Sequence, residues 1–226
     1  AYACGVHGLR PTLGRIAAFN AALPERPIGP QITAVSGPLA RTVGDLRLAL
    51  ATMAQRDVRD PWWVPAPLEG PRRPRRAALC LRPGGLETAK EVADAVTDAG
   101  RRLVRAGWEV EEIAAIPSFE EAADLQVKFW LADGYQAMRD AAEREGDPGA
   151  LAVLRGHEAT ARSLDLAAFS KMLTRRATLV RAWETFFETW PVIVMPPCAE
   201  LPFPDGLDLK DAASFARVWR AQMPQI

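Results

Sequence analysis

The side chains able to do chemistry crowd the opening run Ala1–Arg15: a thiol at Cys4, an imidazole at His7 and guanidiniums at Arg10 and Arg15, among glycines at 5, 8 and 14. Cys4 and His7 have the C-x-x-H spacing that could begin a zinc site. Such a site needs about four ligands in paired spacing. The chain has only two histidines, His7 and His157, and three cysteines, Cys4, Cys80 and Cys198, with no second pair. No metal is therefore expected. A Cys–His nucleophilic site requires only that thiol and imidazole meet in space. Cys80 and Cys198, however, fall in or beside apolar strands, where cysteine acts as a small hydrophobe. The glycines do not spell G-x-G-x-x-G and no strand-to-helix junction surrounds them, so a phosphate cradle is not indicated. With Pro11 they forecast a sharply turning loop without a regular element. Arg10 and Arg15 could bind a substrate carboxylate; tying loops together through carbonyls is the plainer role.

A second set of candidates is aromatic and thioether. Trp130, Tyr135, Met138, Phe169, Met172 and Trp183 recur at helical spacing, which suits either a pocket wall or plain core.

The elements that must position these groups can be read from periodicity. The first helix should start at Thr42, with Val43, Leu46, Leu50 and Met53 on one face, and end before Arg56. Residues 61–76 are rich in proline and arginine and read as a linker, with the Arg72–Arg76 cluster as a solvated lead-in to a strand. Ala77–Leu81 reads as an apolar strand closed by Pro83, Gly84 and Gly85. Thr88 with Glu91 spells a capping box, and Val92, Val96, Ala99 and Leu103 share one face of the helix that follows. Ala106-Gly107 stops it, and Trp108–Ile113 reads as a second strand near the sheet edge. A strand, helix, strand succession of this length implies a parallel pair.

Ser118 with Glu121 repeats the capping signal for a helix to about Arg144, with Leu125, Phe129 and Ala132 inward. Residues 146–149 break it. A shorter helix should follow at 150–162. Asp165 caps a long one whose apolar stripe is Phe169, Leu173, Leu179, Val180, Trp183 and Phe187. A strand at Val192–Met195 comes next, and Asp208 or Asp211 starts a last helix through Phe215, Val218 and Trp219. The fold class is α/β, a layered α/β/α arrangement with a mixed sheet flanked by helices.

Two stretches are more specific. The opening run, with Cys4, Gly5, Gly8, Pro11, Thr12, Gly14 and Arg15, resembles the segment just downstream of the nucleophile in amidase-signature hydrolases. Ser36–Asp45, with Gly37, Pro38, Arg41 and Thr42, resembles that family's second recognisable stretch, and Asp57–Pro61 fits the close of the helix after it. Pro191–Pro197 resembles its late buried strand. His7 departs from the pattern, which more often has a small apolar residue there. The resemblance implies part of a single amidase-signature domain over 1–226, and cleavage of a carboxamide to acid and ammonia or amine through an acyl-enzyme. A Ser–Ser–Lys set would do that work, because a serine hydroxyl attacks only once a base takes its proton. Those three residues are expected upstream of Ala1, so the chain alone is expected to be inactive.

By the same resemblance, substrate preference would be encoded between 114 and 190, where Trp130, Tyr135, Phe169 and Met172 are the candidate contacts. The alternatives are a non-catalytic amidase-like scaffold and the amidase subunit of a tRNA-dependent amidotransferase.

Composition narrows the remaining classes. Among 226 residues, 49% are hydrophobic, enough for a core, and Lys+Arg equals Asp+Glu at 28 each. Zero formal charge gives no argument for nucleic acid or an anionic membrane as partner. No run approaches a membrane span. Three widely spaced cysteines favour reduced thiols and a cytoplasmic setting. The expected partner is a small-molecule amide, no cofactor is needed, and a homodimer is the assembly left open.

Overall fold

The computed structural model describes residues 1–22 and 25–225. The chain divides into two compact units, Ala1–Arg72 and Arg73–Ile226, and the boundary falls inside the proline- and arginine-rich 61–76 segment.

In the first unit the opening run is not wholly irregular, as the glycine count had suggested. His7–Gly8 (β1) pairs antiparallel with Leu39–Ala40 (β2), His7 opposite Ala40 and Gly8 opposite Leu39. Gly8 leaves room for two side chains at this pairing: a Cβ there would lie 2.8 Å from the Ala1 Cβ and 3.1 Å from the Leu39 Cδ2.

A short helix, Ile28–Thr33 (α1), precedes the one expected first. Its Gly29 and Pro30 hid it from a propensity reading. Pro30 sits in the first turn, where a missing N–H costs nothing. Val43–Met53 (α2) starts as expected: the Asp45 N–H donates to Thr42 Oγ1 at 3.1 Å, and that hydroxyl donates back to Asp45 Oδ2 at 2.8 Å. Its expected apolar face is a correction. Leu46 is buried and Leu50 half-buried, but Val43 is 59% and Met53 37% exposed, because within this unit only the Leu46 side is covered.

The second unit is built on a three-stranded parallel sheet. Arg76–Leu79 (β3) lies between Glu109–Glu112 (β4) and Val192–Val194 (β5). β4 is an edge strand, as expected for the Trp108–Ile113 segment. Ala77, Ala78 and Cys80 are fully buried, the mark of a central strand covered on both faces. The basic lead-in is tied down: Arg73 pairs with Glu188 at 3.2 Å, and Arg76 pairs with Glu109 at 3.1 Å while lying over the Trp190 ring.

Helices flank this sheet in the order Lys90–Arg105 (α3), Glu120–Glu145 (α4), Pro148–Arg162 (α5), Leu166–Thr189 (α6), Leu207–Lys210 (α7) and Ala212–Gln222 (α8). Val92 and Val96 of α3 are buried, and Gly107 ends that helix at φ +81°. Neither capping box forms. The Thr88 hydroxyl donates instead to Leu81 O at 2.7 Å, holding the strand exit, and α3 starts after Ala89. α4 starts after Phe119, whose burial sets the boundary, and Glu121 is taken by Arg175. In both cases the glutamate sits one position too early to reach back to the capping N–H.

The caps expected at Asp165 and Asp211 do form, accepting from Ala168 and Ser214 N–H at 2.7 Å each. Asp147, read from sequence only as part of a break, also caps α5, accepting from Gly149 N–H at 2.8 Å. Asp211, not Asp208, starts the last helix. The α6 stripe is turned by one residue: Met172 and Leu179 are buried, while Leu173 and Val180 are 42% and 44% exposed.

Candidate functional site

The opening loop is shaped by its own amides. Cys4 and Val6 N–H donate to Ala1 O, and Gly5 N–H to Tyr2 O at 3.4 Å, closing two turns around Gly5 at φ +61°. The loop leaves this knot through β1 and reaches Leu9, whose N–H donates to Pro38 O at 3.1 Å. Gly37 crosses here so closely that a Cβ would sit 1.9 Å from Leu9 O and 3.0 Å from Pro11. Gly14, at φ +80°, accepts from Val64 N–H at 2.9 Å, and a Cβ there would meet Trp62 O at 2.3 Å. Gly37 and Gly14 are therefore fixed by the space around them.

The two arginines of the loop are latches. Arg10 Nη2 donates to Thr33 O at 3.1 Å. Arg15 donates to Ala66 O and, at 2.5 Å, to Pro67 O. Each guanidinium satisfies carbonyls that a coil segment leaves open. Arg15 N–H also donates to Thr12 O, completing the turn after Pro11. Cys4 and Thr12 are exposed, as is Arg41 at the α2 start. Among the described residues no three of His, Cys, Asp and Glu gather as metal ligands.

The loop borders a cavity of about 570 Å³, with Arg10, Thr12, Leu13 and Arg15 on one side and Leu50 and Val64 on the other. Thr12 carries the only hydroxyl among its described lining residues, and no lysine, histidine or carboxylate stands beside it. A hydroxyl without a neighbouring base is a weak nucleophile. Among the described residues lining it, none is a base that would activate that hydroxyl.

The aromatic candidates of the second unit are not brought onto one surface. Tyr135 donates its hydroxyl to Leu154 O at 3.3 Å and lines a cavity of about 340 Å³ with Leu131, Gln136, Arg139, Glu158 and Arg162. The charges there are internally balanced. A hydrogen bond from Arg162 holds the Glu158 carboxyl below its usual range, and one to Glu143 raises Arg139. Phe169 is half-buried, edge-on to Phe129 at 5.6 Å, and Met172 is buried in the core. Trp130, next to the fully buried Phe129, is 43% exposed, more than any other ring of the group. Met138 is half-buried, and Trp183 packs against Phe186 and Phe187.

One group escaped the sequence reading. His157 of α5 stands edge-on between Phe215 at 5.3 Å and Trp219 at 4.7 Å, with Nε2 buried and unpartnered among the described residues. Burial pushes its pKa down, so the imidazole is neutral at pH 7. Nothing in its local sequence distinguishes it from a surface histidine. Its surroundings come from α8, more than fifty positions away.

Comparison with known proteins gives this geometry its context. A family profile described as Amidase matches residues 1–222. An indoleacetamide hydrolase of Bradyrhizobium diazoefficiens is 37% identical over 222 residues, covering 96% of this chain and 41% of that protein. An indoleacetamide hydrolase of Bradyrhizobium japonicum is 37% identical over 229 residues, covering 96% and 47%. The chain thus spans less than half the length of these relatives. Among solved structures, 6-aminohexanoate cyclic dimer hydrolase in complex with its substrate superposes with a TM-score of 0.71 at 19% identity, over 98% of this chain and 52% of that one.

Proposed function

The chain belongs to the amidase family, and on that premise we propose that it forms the loop-bearing and helical portion of a serine amidase whose attacking serine, relay serine and lysine lie in sequence outside these 226 residues. The complete enzyme cleaves a carboxamide to the acid and ammonia or amine. A serine attacks the carbonyl, the lysine accepts its proton through the relay, and water then resolves the acyl-enzyme. Backbone N–H groups at a tight turn offset the charge that develops on the carbonyl oxygen. In this account the knot at Cys4–Gly5 and the Gly37 crossing hold the loop rigid next to that turn. Gly8, Pro11, Thr12, Gly14, Arg15, Pro38, Arg41 and Thr42 serve as its framework. No metal or organic cofactor takes part.

The observation that carries this reading is the 37% identity across 96% of the chain to two proteins named indoleacetamide hydrolase. It also favours an amide bearing a flat aromatic ring. Trp130, with its exposed ring, is the proposed first contact, and Tyr135, Phe169 and Met172 back the helices that carry it. Three free cysteines, two of them buried, fit a reducing cytoplasmic setting.

The test uses the parent-length protein with indole-3-acetamide and hexanamide. The aromatic amide is expected to be hydrolysed with at least tenfold higher kcat/KM, and Trp130→Ala to raise KM for it more than it lowers kcat. Release of ammonia from neither amide would refute the reading.

A further inference from the structure

The first unit contains another cavity, of about 590 Å³, that shares no lining residue with the groove beside Arg10 and Arg15. Its walls are two rings, Phe19 and Trp62, and its rim carries Glu25, Arg26 and Arg59. Most of these groups are locked. Asp60, 9% exposed, accepts from the N–H groups of Ala18 and Trp62 and so clamps the two ring-bearing segments together. Trp62 Nε1 donates to Gln31 Oε1 at 3.0 Å, and Gln31 Nε2 donates to Arg26 O at 2.6 Å, which fixes the indole plane. Arg59 lies 4.8 Å over the Phe19 ring, and Asp57 grips it through two hydrogen bonds of 2.9 and 2.7 Å.

Among the described residues, two rim charges are left uncommitted. The side chains of Arg26 and Glu25 have no hydrogen bond or ion pair among the described residues, not even with each other, yet both line the cavity. Asp60 and Arg59 are already satisfied, so the free valences at the rim are one guanidinium and one carboxylate beside two preset aromatic walls. The complementary ligand is a flat ring carrying one anionic and one cationic group. A simple aromatic acid would leave Glu25 opposed, and a simple aromatic amine would leave Arg26 opposed.

We propose that this cavity binds an aromatic α-amino acid as its zwitterion, the carboxylate on Arg26, the ammonium on Glu25 and the ring between Phe19 and Trp62. The site needs no hydrolysis, so it stands apart from the amidase reading. Ring stacking and two charge-assisted contacts in an open, prelocked groove suit an affinity in the range of about 0.1–1 mM.

The experiment is a titration of the 226-residue chain with L-phenylalanine, phenylacetate and phenethylamine, followed by the indole N–H resonance of Trp62 and by saturation transfer. L-phenylalanine is expected to shift Trp62 and to bind at least fivefold tighter than either singly charged analogue. Arg26→Gln should erase its advantage over phenethylamine, and Glu25→Gln its advantage over phenylacetate, while Arg105→Gln in the second unit changes nothing. The wild-type shift of Trp62 stands as an independent readout if a variant is unstable. Equal affinities for the three probes, indifference to both rim variants, or no Trp62 shift at 10 mM L-phenylalanine would overturn the proposal.

Discussion

Replacing Gly37 by alanine puts a methyl group 1.9 Å from Leu9 O, more than an ångström inside the shortest contact that real Cβ atoms make. The obstacle is backbone, not the end of a flexible side chain, so the two segments must part. Parting them breaks the Leu9 N–H bond to Pro38 O and loosens the β1–β2 pairing. Two to three backbone hydrogen bonds at about 1 kcal/mol each give a cost of about 2–3 kcal/mol. A unit of 72 residues has a total stability of about 4–10 kcal/mol, so the loss is a large share of it. With a urea slope of about 1 kcal/mol/M for a unit of this size, the midpoint should fall by about 2–3 M. The assay is urea unfolding of the whole chain, read by hydrogen exchange in peptides from residues 1–60. Gly70→Ala is the control, because a Cβ there meets nothing within 4 Å and its φ is not positive. A Gly37→Ala midpoint within 0.5 M of that control would show that the crossing does not hold the loop.

Other expectations concern the second unit and the thiols. The pKa of His157 is lowered by burial, so the unfolded chain binds the proton more readily. Stability is then fully present above about pH 6.5 and declines as pH falls through the lower folded value; His157→Leu should flatten that decline in a comparison of Tm at pH 7.5 and pH 5. Phe129, 1% exposed and edge-on to Phe169, should cost about 3–5 kcal/mol as Phe129→Ala, measured by denaturant unfolding. Cys4 is exposed, whereas burial raises the pKa of Cys80 and Cys198. Titration with a thiol-reactive disulfide should therefore give one fast equivalent, lost in Cys4→Ser, and two that react only on unfolding.

Legibility from sequence followed the range of the cause. The caps at Asp165 and Asp211, the Thr42 start and the Gly107 and Gly146 stops are local, and all were visible in the chain. The parallel β3–β4 pair was visible too, because the spacing between apolar strands forces it. The capping boxes at Thr88 and Ser118 failed for a tertiary reason: Leu81 and Arg175 compete for the very groups those boxes need. α1 was missed because Gly29 and Pro30 lower its propensity without preventing it. At the candidate site, the spacing around Gly5, Gly14 and Gly37 marked a constrained loop, and the latching role of Arg10 and Arg15 was the plainer reading. The setting of His157, the Asp60 clamp and the scatter of Tyr135, Phe169 and Met172 could not be read. Each depends on partners more than ten positions away.

The central claim is that these 226 residues frame an acylation site without supplying its nucleophile. Incubating the chain and the parent-length protein with a fluorophosphonate that labels activated serines tests it most directly. The account predicts stoichiometric labelling of the parent at a serine outside this chain and none of the isolated chain. A covalent adduct on any serine of the isolated chain would contradict it.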